Sequence, residues 1–156
     1  MIAKETIITL ARRYQTSEFP NIIREYFQHI FLLELYKLPG AEKMLFKGGT
    51  ALRIIYGSPR FSEDLDFSLV RVESRLVKKF VEDLFIKILA EIEKMGIAID
   101  IDTKSNQTSG GYFGAATLSA SGYPPVGVEI NISTRNEKKI IGEPDSITSD
   151  FVPAYT

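Results

Sequence analysis

"FKGGTALRIIYGSPRFSEDLDFSL" (residues 46–69) opens on two glycines and closes on two aspartates, Asp64 and Asp66, with one leucine between them. On a strand, residues i and i+2 face the same side. Asp64 and Asp66 are therefore expected to project together, with Leu65 and Phe67 on the opposite face. Two carboxylates that close repel, and one takes up a proton unless a cation sits between them. Magnesium, which accepts one or two carboxylates plus substrate phosphates, relieves that repulsion. The glycines suit the same chemistry. Gly48 and Gly49 allow a close backbone approach to a phosphate. Thr50 can cap the helix that follows and offer a hydroxyl, and the first turn of that helix presents free N–H groups to an anion. Lys47, Arg53 and Arg60 add positive charge, and Ser62 adds a donor. Each part alone is commonplace: Gly-Gly-Thr is usually a turn and a cap, and D-x-D is often a solvated strand end. The order of the parts singles the stretch out.

Around it, the chain reads as helices, a strand, a long helix and then consecutive strands. Helices are expected over 3–14 and 20–37, the second with Pro20 near its start and "LPG" after it. Ile22, Ile23, Tyr26, Phe27, Ile30, Leu33 and Tyr36 recur there at helical spacing. "MLF" is a short extended entry into Gly48, "TALRIIYG" a short helix closed by Gly57, and "LDFSLV" a strand. Residues 73–95 form a long helix ended by Gly96. Strands follow at 97–104, 112–121 and 126–134, separated by the turn compositions "SNQTSGG" and "GYPP". This order is that of an α+β fold, helices packed on a mixed sheet. It makes a single domain over 1–156: N-terminal helices (1–40), a catalytic-type core (44–134) and an irregular tail (135–156).

Composition narrows the function classes. A length of 156 residues suits one domain with a real core. A formal net charge of −1 gives no broad field for nucleic acid or membrane, so any polyanion site must be a local patch. The absence of cysteine excludes disulfides, thiol catalysis and cysteine-ligated zinc, and fits a reducing compartment. "MIAKETIITLARRYQ" is too charged for a signal peptide, and "HIFLLELYKL" is too short and too charged to span a bilayer. The expected location is cytoplasmic, with no membrane partner.

Residues 46–69 resemble the nucleotidyltransferase AbiEii/AbiGii toxin family, within the DNA polymerase β-like nucleotidyltransferase superfamily. The shared signature is K-G-G-T-x-L followed by R-x-S-x-D-[LI]-D-[FL]. The resemblance implies a polymerase β-like core in which Gly48 and Gly49 hold a triphosphate and Asp64 and Asp66 bind Mg2+ or Mn2+. It also implies a third carboxylate on a neighbouring strand. Glu129 in "VGVEINIS", with Arg135 soon after, is the first choice, and Asp100 and Asp102 in "IAIDIDTK" are the runners-up. Catalytic and metal-binding roles then fall to Asp64, Asp66 and Glu129. Phosphate contacts fall to Lys47, Gly48, Gly49, Thr50, Arg60 and Ser62. The implied activity is transfer of a nucleotide from an NTP to an RNA (tRNA included) or protein hydroxyl, with a cognate antitoxin as partner. Two metal ions would serve the leaving group and the attacking hydroxyl, and positioning and charge neutralisation would carry the chemistry. Family members continue past the third-acid strand into a helical segment that has no counterpart here. The chain is therefore expected to be a fragment, one of two polypeptides or a shortened relative. An exposed apolar surface and homo-oligomers would follow. The alternative function is a non-catalytic nucleotide-binding or regulatory module with an incomplete active site. A weaker third reading is another magnesium-phosphate enzyme, a hydrolase releasing free phosphate.

Two other features carry smaller expectations. His29, the single histidine, sits among Phe27, Ile30 and Phe31 and reads as structural. Tyr112 and Phe113, after the "SNQTSGG" loop, are placed where an aromatic ring could stack on a base.

Overall fold

A computed structural model describes residues 19–56, 64–120 and 124–134. The expected helix at 3–14 and the tail at 135–156 lie outside these residues. In chain order the elements are α1 (Phe19–Leu35), β1 (Met44–Lys47), α2 (Gly48–Tyr56), β2 (Asp64–Leu69), α3 (Val77–Lys94), β3 (Ala98–Ile101), β4 (Asn106–Thr108), β5 (Gly111–Ser119) and β6 (Val126–Ser133). The architecture is α+β, as the order of sequence patterns implies.

The sheet runs β1-β2-β6-β5-β3, with β4 also paired to β5. β2 and β6 are parallel, and the other pairings are antiparallel. A parallel pair needs a long crossover, here the segment that contains α3 and β3 to β5. β3 and β4 flank the same edge of β5 and act as one strand interrupted by a bulge. The Asp102 N–H donates to Ala115 O at 2.9 Å, and Ser105 Oγ both donates to Ala115 O and accepts from Ala115 N–H. The strand expected at 97–104 is thus shorter than its sequence pattern. "SNQTSGG" is also not all turn, because Asn106–Thr108 pairs with Gly111–Phe113. Exposed polar side chains give no alternation signal, so β4 is hidden in a turn-like composition.

Period-2 patterning decides which way the sheet faces. Leu65, Phe67 and Leu69 of β2 and Val126, Val128, Ile130 and Ile132 of β6 are all buried. They meet α1 and α3, whose Ile22, Phe27, Phe31, Val81, Leu84 and Ile88 belong to the same core. Phe67, fully buried, has ring contacts to Phe31 at 6.5 Å and to Phe46 at 5.6 Å. Arg24 Nε donates to Gly127 O at 2.8 Å and ties α1 to β6. His29 is buried on α1 with Nε2 3.9 Å from Glu25 Oε1. An apolar cavity of about 440 Å³ lies under α1 and α3 against β5, on the face away from the carboxylates.

Tyr112 faces these helices, and its hydroxyl donates to Glu82 Oε2 at 2.9 Å. Burial, reinforced by that carboxylate, pushes the phenol up to about 12. The neutral phenol is therefore favoured in the folded state. Its contribution is complete below the ordinary value near 10 and is lost as pH rises through about 12. Wild-type protein should lose more stability between pH 9 and 12 than Tyr112→Phe, read as the shift in urea midpoint. Equal losses would show that this phenol is not the linked group. Phe67→Ala empties the centre of the core and should cost about 3–5 kcal/mol in the same assay. A cost below about 1 kcal/mol would contradict the packing described.

Candidate active site

The face of the sheet opposite the core is polar around the β2–β6 pair. Asp64 and Asp66 alternate with buried Leu65 and Phe67, so both carboxylates leave the same side of β2. The parallel register sets Asp64 beside Glu129 and Asp66 beside Asn131. The four residues form a two-by-two patch in which three carry carboxylates.

Asn131 bridges the two aspartates. Its Nδ2 donates to Asp66 Oδ1 at 3.2 Å and to Asp64 Oδ2 at 3.4 Å. One amide nitrogen within reach of both acids means that the two carboxylates converge on a common point. Glu129 lies on the adjacent strand, exposed, on the same face. Among the described residues, no three acidic or histidine side chains close into a metal-holding cluster. The convergent pair is therefore Asp64 and Asp66, with Glu129 one strand away. Asn131 is absent from the sequence-derived site. Its signal was available: it follows Glu129 by two residues, so alternation puts both on one face.

The glycine turn meets this patch from the β1 side. Gly48 has φ +83°, a conformation that side chains rarely adopt. A Cβ there would collide with Asp66 Oδ2 and come within 3.0 Å of Asp66 Cβ. Glycine is thus required twice, for backbone shape and for room beside the carboxylate. Gly48 and Gly49 form the first turn of α2 itself, not a loop before it, and both are exposed. Their N–H groups belong to the turn whose donors have no intrahelical acceptor. Thr50 is buried, and its hydroxyl donates to the Asp64 carbonyl. That bond spends the Thr50 hydroxyl on locking α2 to β2 instead of turning it outward. Lys47 pairs in register with Asp66 across β1–β2 and lines a polar cavity with Asp66 and Asn131.

The other sequence candidates divide in two. Arg60 and Ser62 lie outside the described residues, as does Arg135. Asp100 and Asp102 belong to the far side of the sheet: β3 pairs with β5 and is separated from β2 by β5 and β6. Asp102 accepts the Lys104 N–H at 2.8 Å, shaping the bulge after β3, and lines the apolar cavity on the helix face.

Oxygen donors that converge while flanked by an exposed helix N-terminus suit a hard divalent cation carrying phosphate oxygens. Gly48→Ala tests whether the close approach matters. The added methyl should displace the Asp66 carboxylate, costing about 1–3 kcal/mol of stability from strain and collision. It should also abolish any Mg2+-dependent ligand stabilisation. An unchanged melting temperature together with unchanged ligand response would refute the close approach.

The fold has known counterparts. The family model for the nucleotidyl transferase AbiEii toxin of type IV toxin–antitoxin systems matches residues 30–155. No curated protein matches the chain significantly. Among solved structures, one from H. pylori described as a candidate nucleotidyltransferase superposes with TM-score 0.57 at 23% identity, covering 85% of this chain and 52% of that one. JHP933 from Helicobacter pylori gives TM-score 0.54 at 22% identity, covering 85% and 50%. At these identities the two share the fold, and the chain spans about half of their length. With the match covering most of its residues, the chain belongs to the AbiEii nucleotidyltransferase toxin family.

Proposed function

We propose that this chain carries the nucleotide site of a metal-dependent nucleotidyltransferase of toxin–antitoxin type. The observation that supports it most is the Asn131-bridged pair Asp64 and Asp66 lying against the Gly48 backbone. Asp64 and Asp66 would hold a divalent cation, Mg2+ or Mn2+, which when bound neutralises the triphosphate and draws charge off the phosphorus under attack. The exposed first turn of α2, at Gly48 and Gly49, would receive the phosphates through its N–H groups. Lys47, half-buried beside Asp66, would neutralise a phosphate oxygen. Arg60 and Ser62 would add phosphate contacts by the family pattern. Thr50 acts behind the site, holding the helix N-terminus at a fixed distance from Asp64.

In the reaction, an acceptor hydroxyl oxygen forms a bond to the α-phosphorus. The bond from that phosphorus to the bridging oxygen breaks, and pyrophosphate leaves. The hydroxyl proton passes to a carboxylate, for which Glu129, next to Asp64 in register, is the nearest sequence-derived candidate. The acceptor is an RNA, tRNA included, or a protein hydroxyl, and a cognate antitoxin is the expected partner of the complete system.

A second reading has its own observation. Glu129 is not drawn into a three-carboxylate cluster among the described residues, which suits a nucleotide-binding module without turnover. One experiment separates the two. Melting temperature is recorded with each NTP, with and without Mg2+, for wild type and Asp66→Asn, and pyrophosphate release is followed with total tRNA. At a ligand concentration near 100 times Kd, stabilisation should reach about 2–3 kcal/mol. It should require Mg2+ and vanish in Asp66→Asn. Pyrophosphate release that Glu129→Gln abolishes supports the enzyme, and binding without release supports the module. The absence of any Mg2+-dependent stabilisation would rule out both.

A further inference from the structure

The carboxylate patch continues into a row that ends in an aromatic ring. Lys47 of β1 pairs with Asp66 of β2, Asp66 with Asn131 of β6, and Asn131 with Phe113 of β5. Cation, acid, amide and ring thus stand side by side across four strands. Phe113 lies two strand spacings from Asp66, roughly 10 Å. Its neighbours on β5 point the other way: Tyr112 is buried and bonded to Glu82, and a Cβ on Gly114 would touch Phe85. Phe113 is therefore the residue of the pair that faces the acids, and it is only half-buried there.

The ring opens onto a cavity of about 330 Å³ that it shares with Lys47, Asp66, Asn131, Thr108 and Ser133. The volume is at the small end of ligand pockets. The hairpin tip that walls it is rigidly built. Gly111 has φ +153°, and a Cβ there would collide with the Ile132 carbonyl. The Gly110 carbonyl accepts from Thr134 N–H at 2.9 Å and from Thr134 Oγ1 at 3.3 Å. A half-exposed phenyl set among hydroxyls and an amide, on a fixed wall, offers a flat apolar surface with hydrogen-bonding groups at its edge. Those are the two things a nucleobase needs, a face to stack on and polar partners for its rim.

We propose that Phe113 is the stacking platform for a nucleobase whose phosphate end lies at Asp64 and Asp66. This rests on the nucleotide site proposed above. Two sources share the chemistry: the base of the NTP, or the terminal base of an RNA acceptor.

The protein has no tryptophan, so Phe113→Trp introduces a single indole at the platform. Its fluorescence is titrated with Mg2+ plus each NTP, with Mg2+ plus inorganic tripolyphosphate, and with total tRNA. Quenching by an NTP but not by tripolyphosphate assigns the platform to the donor base. Quenching by tRNA alone assigns it to the acceptor base. In parallel, Phe113→Ala and Phe113→Leu should weaken binding of the quenching ligand by about 5- to 100-fold, the size of a lost base–aromatic stack. Tripolyphosphate affinity should stay unchanged. Phe113→Leu keeps apolar bulk and so separates loss of the ring from loss of the fold. If NTPs and tripolyphosphate stabilise wild type through Asp66 while no ligand quenches the indole, and Phe113→Ala binds like wild type, the platform is wrong and the nucleotide site stands. If neither stabilises wild type, the nucleotide site fails and the platform with it.

Discussion

The parallel pairing of β2 with β6 is the constraint on which the site depends. Residues distant in sequence become side-by-side neighbours only because Asp64 is in register with Glu129 and Asp66 with Asn131. The same register puts Leu65, Phe67, Ile130 and Ile132 together on the other face, where all four are buried. Because side chains alternate with period two, slipping either strand by one residue would turn its acids into the core and its apolar residues into solvent. Burial of four large side chains therefore specifies the geometry of the acids. Each is worth roughly 1.5–3 kcal/mol when fully removed from water, so the four together outweigh the hydrogen bonds within the site.

Two smaller interactions set the position of the glycine turn relative to that pair. The Thr50 hydroxyl fastens α2 to the Asp64 backbone. Gly48, having no side chain, lets the turn close against the Asp66 carboxylate. The helix N-terminus thereby faces the carboxylate pair at close range. Its partial positive charge and the acids are both oriented before any ligand arrives. A site built this way loses little energy in reorganisation when a charged ligand enters.

Much of this was legible in the sequence, for a physical reason. Alternation and helical spacing are enforced by burial, so the acids of β2, the strand at 126–133 and the long helix ending near Gly96 all show in the pattern. The local order Gly-Gly, helix, D-x-D also showed, because it lies within 24 consecutive residues. What did not show depends on pairing between distant strands. Asn131 shared its face with Glu129 from the outset. Its value comes from standing opposite Asp66, which no local rule reveals. Asp100 and Asp102 carry the same D-x-D spacing as the site pair, yet Asp100 lies on β3, on the far side of β5, and Asp102 in the bulge that follows it. The choice between Tyr112 and Phe113 was undecidable until the register of β5 fixed which ring looks toward the acids.

The bridge made by Asn131 also fixes how the two carboxylates are presented. Its amide nitrogen carries two hydrogens, enough to satisfy one oxygen of each acid. The amide is neutral, so it orders the pair without cancelling the charge. At 3.2 and 3.4 Å the two hydrogen bonds lie at and beyond the long end of the usual N–H···O range and are weak. A cation arriving between the acids would gain from two charges already aimed at it and would give up only those long contacts. A lysine in place of Asn131 would neutralise the pair more completely and would compete with that cation. The neutral amide orders the site and leaves its charge available.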